Sequence, residues 1–197
     1  MNRYNSYQDT NSYWYNETPI TWKRTRIKYI FNEDNDFSYK TLIPVNLYGP
    51  KDKFNPKKST AIASIINKVY KAKYKNKANV EIWGDGTAKR EVMYVDDLAD
   101  CIIEGVKRFD DLPNIMNVGV GKDYTIKQYY EIISKSLNWN GKFTYNLKKP
   151  TGMKKKLVCL KKLKKFGWEH KTSLKKGIKL TINYYNNMMK THGKIIR

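Results

Sequence analysis

The stretch VEIWGDGTAKREVMYVDDLADCI, residues 80–102, predicts a strand, a turn, a second strand and a helix in succession. VEIW, residues 80–83, has the apolar and aromatic character of a short strand, and the glycines of the following GDG stop it. REVMYV, residues 90–95, predicts the second strand, which ends at two aspartates. Asp96 is a preferred N-cap residue, and Asp97 places favourable charge in the first helical turn. The helix is predicted to turn four apolar residues inward: Leu98, Ile102, Ile103 and Val106.

The segments before this stretch predict one more strand and one more helix. Phe37 to Val45 is rich in β-forming residues, and Gly49-Pro50 closes that run with a strong turn signal. After a lysine-rich loop, Ser59 or Thr60 is predicted to cap a helix. The apolar residues of this helix share one face: Ile62, Ile65, Ile66 and Val69.

The segments after it continue the alternation. NIMNVGVG, residues 114–121, predicts a strand that runs into a glycine turn. Thr125 and Gln128 have the spacing of a capping box, which opens a helix to about Leu137. KFTYN, residues 142–146, predicts another strand.

Two further helices complete the chain. One lies in LKKLKKFGW, residues 160–168, and ends at Gly167; the other starts at Ser173. Residues on one side of the last helix are apolar: Leu174, Ile178, Ile182, Tyr185 and Met189. Because helices and strands alternate without a fixed repeat, the predicted fold class is α/β. Residues 1–27 show neither period and are interpreted as an irregular leader, which leaves 28–197 as the folded part.

The formal net charge of +21 would attract nucleic acid, anionic membrane or a phosphorylated substrate. The excess is almost all Lys, since six of the 39 basic residues are Arg, and Lys is enriched together with Asn, Ile and Tyr. A bias toward A/T-rich codons explains this composition better than nucleic-acid binding does. No apolar run reaches the roughly 18 residues of a membrane span, and the N-terminus has no apolar core of a secretory signal. Cys101 and Cys159 are interpreted as buried thiols of a cytoplasmic protein.

Four segments together resemble a known family: IPVNLYGPKDKFNP, WGDGTAKREVMYVDDLA, NVGVG, and KPTGMKKKLVCLKKLKKFGWEHKTSLKKGI. In this order and spacing they are similar to the C-terminal portion of the GDP-L-fucose synthase family of extended short-chain dehydrogenase/reductases, over roughly residues 28–190. The resemblance implies the last Rossmann strands plus a smaller α/β domain that binds a sugar nucleotide, without the N-terminal dinucleotide-binding half. It also implies double epimerisation of GDP-4-keto-6-deoxymannose, followed by hydride transfer from NADPH, and no metal.

The resemblance assigns residues to a cofactor site and a substrate site. Pro44, Val45, Asn46 and Leu47 would lie against the nicotinamide at the carboxyl edge of the sheet. In the substrate site, the ring of Trp83 would stack on a flat base or sugar face.

Two basic residues complete the implied substrate site. Arg90 would fork onto a diphosphate, and Lys68 would add a point charge near it. Gly84 and Gly86 would let the turn approach the ligand closely. Without the resemblance, Trp83 would be interpreted as a core residue, and Arg90 and Lys68 as surface charges.

The chain departs from the family pattern where the chemistry should be. The Gly-rich dinucleotide fingerprint is absent upstream, and the positions of the catalytic Tyr-x-x-x-Lys fall on Glu17 and Thr21. The family's catalytic His aligns with Thr60, and two substrate-binding Asp residues align with Thr151 and Cys159. Because the family's Tyr and Lys are missing and Thr60 cannot act as a general acid near neutral pH, we expect the chain alone to be inactive.

Three interpretations therefore remain open. The chain is an epimerase/reductase fragment that is active only with a complementing N-terminal chain or not at all, or it is a pseudoenzyme subunit that binds a GDP-sugar. The partner of the chain would be such a complementing chain or a second copy in a homodimer. The third is a nucleic-acid-binding protein on a decayed scaffold, in which Phe166 and Trp168 stack on bases beside the lysine clusters. The scarcity of Arg argues against the third.

Overall fold

The computed structural model describes residues 7–9, 17–19, 39–55, 59–149 and 151–192. The chain divides into two compact units, Met1–Tyr39 and Lys40–Arg197. In the first unit, β1 (Tyr7–Asp9) and β2 (Glu17–Pro19) form an antiparallel pair. This pair lies within the predicted leader. The start of the strand predicted from Phe37 lies outside the described residues.

The second unit alternates strands and helices, as predicted for an α/β protein. Its strands are β3 (Thr41–Pro44), β4 (Asn46–Tyr48), β5 (Asn79–Trp83), β6 (Lys89–Tyr94), β7 (Ile115–Val118), β8 (Asp123–Thr125), β9 (Lys142–Asn146) and β10 (Lys155–Lys156). Its helices are α1 (Ala61–Tyr74), α2 (Val95–Lys107), α3 (Ile126–Leu137), α4 (Lys161–Phe166) and α5 (Leu174–His192).

Most strand pairs are parallel. β3 pairs with β7, β5 with β9, and β6 with β4 and β10, while β8 joins β6 antiparallel. The extended run of residues 41–48 changes partner at Val45. The amide of Val45 donates to the carbonyl of Val118 (3.0 Å), and the next residue, Asn46, pairs with Val92 of β6. One continuous run therefore connects the β3–β7 pair to the sheet of β6.

Two hydrophobic cores hold these elements. The first core lies among α1, α3, α5 and the strands β5 and β6; its fully buried side chains include Ile62, Ile66, Val69, Ile82, Tyr129, Ile133 and Ile178. The second core lies around β7; its buried side chains are Val45, Met93, Cys101, Leu112, Met116, Val118, Leu163, Phe166 and Trp168. The predicted apolar faces of α1 and α5 are confirmed, because their residues lie in or against the first core.

The helix ends follow the sequence signals closely. The capping box of α3 is present: the amide of Gln128 donates to Thr125 Oγ1 (3.1 Å), and the amide of Thr125 donates to Gln128 Oε1 (2.8 Å). Two such bonds satisfy two backbone donors that a helix start otherwise leaves unpaired. α4 ends at Gly167, whose φ of 80° suits a residue without Cβ. Thr60 is the N-cap residue of α1, although its side chain makes no capping bond.

The predicted inward face of α2 is confirmed at Leu98, which packs against the second core, and is wrong for the other three residues. Ile102, Ile103 and Val106 are 45%, 56% and 70% exposed. The helix instead turns Cys101 and Gly105 toward the second core, because small residues let its backbone come close. Ile102, Ile103 and Val106, which were predicted to be buried, lie on the other side of the helix.

Two smaller predictions also fail. α2 begins at Val95 with Tyr94 as its N-cap, so Asp96 lies in the first turn and is not the cap. Cys159 is exposed, whereas Cys101 is buried as predicted, and burial raises the pKa of the Cys101 thiol to about 11. Among the described residues, no helix has the length and apolar character needed to cross a bilayer.

Candidate functional site

A cavity of about 180 Å³ lies where α1, the end of β5 and the start of α3 meet. Two of the sequence-predicted site residues, Lys68 and Trp83, line it together with the phenol of Tyr130. The remaining lining residues are Ala61, Ser64, Ile65, Gly86, Ala88, Ile126 and Thr151. The cavity thus has an apolar floor with one aromatic wall and one charged group.

The wall is the indole of Trp83, the last residue of β5. The strand alternates, so that Val80 and Ile82 point into the first core while Trp83 is 50% exposed. The ammonium of Lys68 lies 4.9 Å from the centre of the Trp83 ring, and that of Lys149 lies 5.4 Å from it. An electron-rich ring beside two cations can hold a flat ligand that carries negative charge.

Lys68 is held in place by the strand it faces. Its Nζ donates to the carbonyl of Glu81 (3.3 Å) and to the hydroxyl of Tyr130 (3.4 Å). Burial lowers the pKa of Lys68, and the nearby Glu81 carboxylate opposes that shift. Burial also raises the pKa of Tyr130, so its hydroxyl stays protonated and donates to the Glu81 carbonyl (3.4 Å). The site therefore contains an amine with a lowered pKa, Lys68, beside a neutral phenol, Tyr130.

The turn after β5 brings residues 84–86 against the segment from Thr151. Gly84 has a φ of 71° and Gly86 a φ of 75°, in the left-handed region that favours glycine. A Cβ on Gly84 would overlap the methyl group of Thr151. Asp85 shapes the turn by accepting from the amide and the hydroxyl of Thr87 (2.9 and 2.8 Å), and these bonds lower its pKa. Gly84 therefore lies closer to Thr151 than a residue with a Cβ could.

Arg90 does not line the cavity; it holds the segment that does. Its Nη1 donates to the carbonyls of Lys89 (2.7 Å) and Met153 (2.6 Å), and its Nη2 donates to that of Thr151 (3.3 Å). These three bonds use three of the five N–H donors of a guanidinium. The predicted fork onto a diphosphate stays a prediction, with two donors left for it in the described structure.

Of the four residues predicted to face the cofactor, two have exposed side chains. Val45 is buried in the second core, and Leu47 packs against it. Pro44 and Asn46 alternate with them and are exposed at the carboxyl end of β3. The contact of Pro44 and Asn46 with the nicotinamide stays a prediction.

Of the residues aligned with the family's catalytic positions, Thr60 makes a hydrogen bond within the fold. Thr60 donates its hydroxyl to Asp52 Oδ2 (2.7 Å) at the start of α1. Glu17 lies in β2, and Thr21 lies outside the described residues. No group of three or more His, Cys, Asp or Glu side chains in the described part of the chain is arranged to hold a metal ion.

Glu91 is a buried residue that the sequence analysis did not single out. It is 2% exposed, and its Oε1 accepts from the amides of Val120 and Gly121 (2.7 Å each). Its Oε2 accepts from the amide of Val158 (3.2 Å). One carboxylate therefore ties β6 to the glycine turn after β7 and to the segment that precedes α4. The sequence signal for Glu91 was a charged residue inside an otherwise apolar strand, with the glycine-containing segment NVGVG further along the chain.

The aromatic residues of the nucleic-acid interpretation are not available for stacking. Phe166 and Trp168 are buried in the second core, and Trp168 Nε1 donates to Asp100 Oδ2 (2.9 Å). The two rings that this interpretation assigned to base stacking therefore cannot serve it.

Known proteins match this chain over most of its length. The model of the NAD-dependent epimerase/dehydratase family matches residues 23–119. The GDP-L-colitose synthase of Yersinia pseudotuberculosis is 47% identical over 160 residues, which are 81% of this chain and 52% of that protein. The GDP-L-fucose synthase of Azorhizobium caulinodans is 43% identical over 150 residues, or 76% of this chain and 48% of that protein.

A solved structure shares the fold. The GDP-mannoheptose C4 reductase from Campylobacter jejuni, with NADP bound, matches with a TM-score of 0.67 and 29% identity. The match covers 80% of this chain and 55% of that chain. The fold expected from the resemblance, part of an extended short-chain dehydrogenase/reductase, is confirmed. The chain spans about half the length of the curated relatives it matches.

Proposed function

Because this chain belongs to the NAD-dependent epimerase/dehydratase family, we propose that it is the nucleotide-sugar-binding half of a GDP-sugar epimerase/reductase. The substrate is GDP-4-keto-6-deoxymannose or a close relative, and the cofactor of the complete enzyme is NADP(H). The isolated chain binds the nucleotide sugar without turning it over. Its place of action is the cytoplasm.

One observation carries this proposal: the half-exposed Trp83 ring at the cavity, with the Lys68 ammonium 4.9 Å from its centre. A guanine base or a sugar face can lie on the indole while the diphosphate lies near Lys68 and Lys149. Arg90 acts chiefly by positioning Thr151, and its two remaining donors can reach toward the diphosphate.

The cofactor has a partial binding edge in this chain. Pro44 and Asn46 are exposed where β3 ends, and the amide of Asn46 can hydrogen bond a carboxamide or a hydroxyl. NADP(H), when bound, supplies the hydride. This chain contributes the contact at the nicotinamide edge, and the phosphates must be held by another part of the complete enzyme.

The residues that run the family's chemistry are replaced in this chain. Thr60 and Glu17 occupy the positions of the family's His and Tyr, and the threonine hydroxyl cannot act as a general acid near neutral pH. The described structure gives Thr60 a structural hydrogen bond to Asp52 instead. Binding without chemistry is the expected behaviour.

Tryptophan fluorescence tests the binding step. In a background in which Trp14 and Trp22 are replaced by Phe, addition of GDP-mannose or GDP-L-fucose should quench the emission. Trp83→Phe in that background should abolish the quenching, since Trp139 and Trp168 are buried. Lys68→Met should weaken binding about tenfold, the cost of one charged hydrogen bond. Lys71→Met, exposed on the same helix, is the matched control and should bind normally. Quenching by an oligonucleotide but by neither GDP-sugar would favour the nucleic-acid interpretation and refute the proposal.

NADPH absorbance tests the inactivity. The purified chain is mixed with NADPH and the 4-keto-6-deoxy GDP-sugar, and the absorbance is followed over many potential turnovers. A flat trace is expected because the family's catalytic Tyr, Lys and His are replaced at the aligned positions Glu17, Thr21 and Thr60. Catalytic consumption of NADPH would contradict this part of the proposal while leaving the binding site intact.

A further inference from the structure

A second cavity, of about 600 Å³, lies where the ends of α1 and α3 meet the N-terminal part of α5. It shares no lining residue with the cavity at Trp83. The buried side chains of Leu137 and Ile182 contribute apolar surface to its lining. Ligand pockets occupy roughly 300–1,000 Å³ and combine an apolar lining with a few polar groups, so this cavity has the size and lining of a small-molecule site.

The polar part of the lining is strongly basic. None of the described lining residues is acidic, and four are lysines: Lys73, Lys135, Lys175 and Lys179. Two of them serve helix ends, because Lys73 Nζ donates to the carbonyl of Leu137 (2.7 Å) and Lys135 lies in the last turn of α3, where a cation is favourable. Within the described part of the chain none of the four makes an ion pair, so their charge is not neutralised locally.

Lys175 and Lys179 stand where their own helix does not favour them. α5 begins at Leu174, and Ser173 Oγ accepts from the amide of Lys176 (3.4 Å) at this end. The positive end of the helix dipole disfavours a cation such as Lys175 in the first turn. Like charges four positions apart on one helix, as at 175 and 179, also repel each other. A bound anion would offset both effects.

An aromatic ring and side-chain amides complete the cavity. Tyr74 is 63% exposed, and its ring rests against that of Tyr70 with the centroids 4.3 Å apart. An exposed ring that is supported in this way can stack on a flat base. Asn183 and Asn186 line the same cavity, and Asn186 Oδ1 is buried without a hydrogen-bond partner in the described structure. Amides carry both the donors and the acceptors that the edge of a base needs.

We propose that this basic cavity, defined by Lys73, Tyr74, Lys135, Lys175, Lys179 and Asn186, binds a nucleoside triphosphate, with the base on Tyr74 and the phosphates among the lysines. A triphosphate is charged on each phosphate group and therefore matches four lysines better than a single phosphate does. The inference goes beyond the proposed function, because it concerns a different ligand and a cavity near the other end of α1.

Equilibrium dialysis of radiolabelled ATP against the full chain, in about 0.15 M salt, tests the site. We expect saturable binding of one ATP per chain. Lys175→Met/Lys179→Met should weaken it about tenfold or more, since charge-assisted contacts are lost. Lys176→Met, exposed on the same helix but outside the cavity, is the matched control and should bind normally. Binding that does not saturate, or an equal loss in the control, would indicate a general positive surface and would overturn the proposal.

Melting temperatures show whether the lysines serve a ligand or the fold. The double variant should melt at or above the wild type without ATP, because it removes unfavourable charges from α5. ATP should raise the melting temperature of the wild type and leave that of the double variant unchanged. A double variant that melts well below the wild type would make the two lysines structural and would overturn the proposal.

Two competitors identify what the basic cavity recognises. Tripolyphosphate should displace ATP only at about fivefold higher concentration or more, because it has no base to stack on Tyr74; equal displacement would overturn the assignment to a nucleoside. A single-stranded oligonucleotide that binds more tightly than ATP and depends on Lys175 and Lys179 would assign the cavity to nucleic acid and would also overturn it.

The fluorescence titration separates this inference from the proposed function. The double variant should keep the quenching of Trp83 by GDP-sugar, and Trp83→Phe should keep the affinity for ATP, since the two cavities share no residue. Loss of ATP binding in Trp83→Phe would place ATP in the cavity at Trp83 and would overturn the second site. Binding of ATP without quenching by GDP-sugar would overturn the nucleotide-sugar site alone.

Discussion

Glu91→Gln is the substitution that most directly probes how the site is held together. The buried carboxylate accepts three backbone amides, those of Val120, Gly121 and Val158. Gln keeps the shape and one oxygen, so the first two bonds become neutral ones and lose about 1 kcal/mol each. The amide NH₂ then faces the amide of Val158, donor against donor, which costs about 1–3 kcal/mol. Since removing a buried charge offsets part of this, we expect a net loss of about 2–4 kcal/mol.

Thermal and urea unfolding of the isolated chain measure this loss. For a chain of this size, about 2–4 kcal/mol lowers the melting temperature by roughly 5–15 °C. Glu104→Gln is the matched control, because Glu104 makes an exposed 3.7 Å ion pair with Arg108 that contributes at most about 1 kcal/mol. If Glu91→Gln melts within the error of Glu104→Gln, the carboxylate does not hold the three segments.

Three further substitutions give distinct readouts. Gly84→Ala should lower the melting temperature more than Gly167→Ala. At both positions φ is left-handed, which costs an alanine roughly 1–2 kcal/mol of strain. Only at Gly84 would the added Cβ also meet a neighbour, Thr151. Equal losses would remove the argument for a close turn. In the folded chain the pKa of Lys68 lies below its usual 10.5, so between the two values the unfolded chain binds more protons and stability rises with pH. Lys68→Met should abolish this rise. Urea midpoints from pH 8 to 10.5 test the prediction, and an unchanged slope would refute it. Hydrogen bonds from Lys171 and Trp168 lower the pKa of Asp100, so Asp100→Asn should destabilise the chain above about pH 3.8 and lose this effect as the pH falls below that value. Melting temperatures from pH 3 to 6 check this. A difference between wild type and variant that stays constant with pH would contradict it.

Local signals predicted the elements that depend on neighbours in sequence. The capping box at Thr125 and the glycine end of α4 involve residues at most a few positions apart, and both occur as expected. The apolar face of α1 is buried because a single period of 3.6 residues sets it. In these cases the local free energy and the tertiary packing favour the same structure.

α2 shows where such reasoning stops. The helix is apolar on two sides, and periodicity cannot say which side meets the core. Cys101 and Gly105 lie on the buried side because small residues allow close packing, while Ile103 and Val106 are exposed. The failed prediction therefore concerns the packing of distant segments, which a helical period does not encode.

Only part of the candidate site was predictable from the sequence. The resemblance pointed to Lys68 and Trp83, and the structure brings them together across one cavity. The bonds of Arg90 to residues about sixty positions away, and those of Glu91 to the glycine turn, depend on how distant segments pack. No period or local spacing encodes such contacts.

β6 couples the two halves of the proposed site. Asn46, at the cofactor edge, pairs with Val92, and Arg90 and Glu91 precede Val92 on the same strand. Since strand residues rise about 3.3 Å each, Arg90 lies about 7 Å along β6 from the position opposite Asn46. A shift of β6 must therefore move the contact for the nicotinamide and the support for the sugar nucleotide together. Glu91, which anchors this strand, should accordingly affect both ends of the site, although it touches neither ligand.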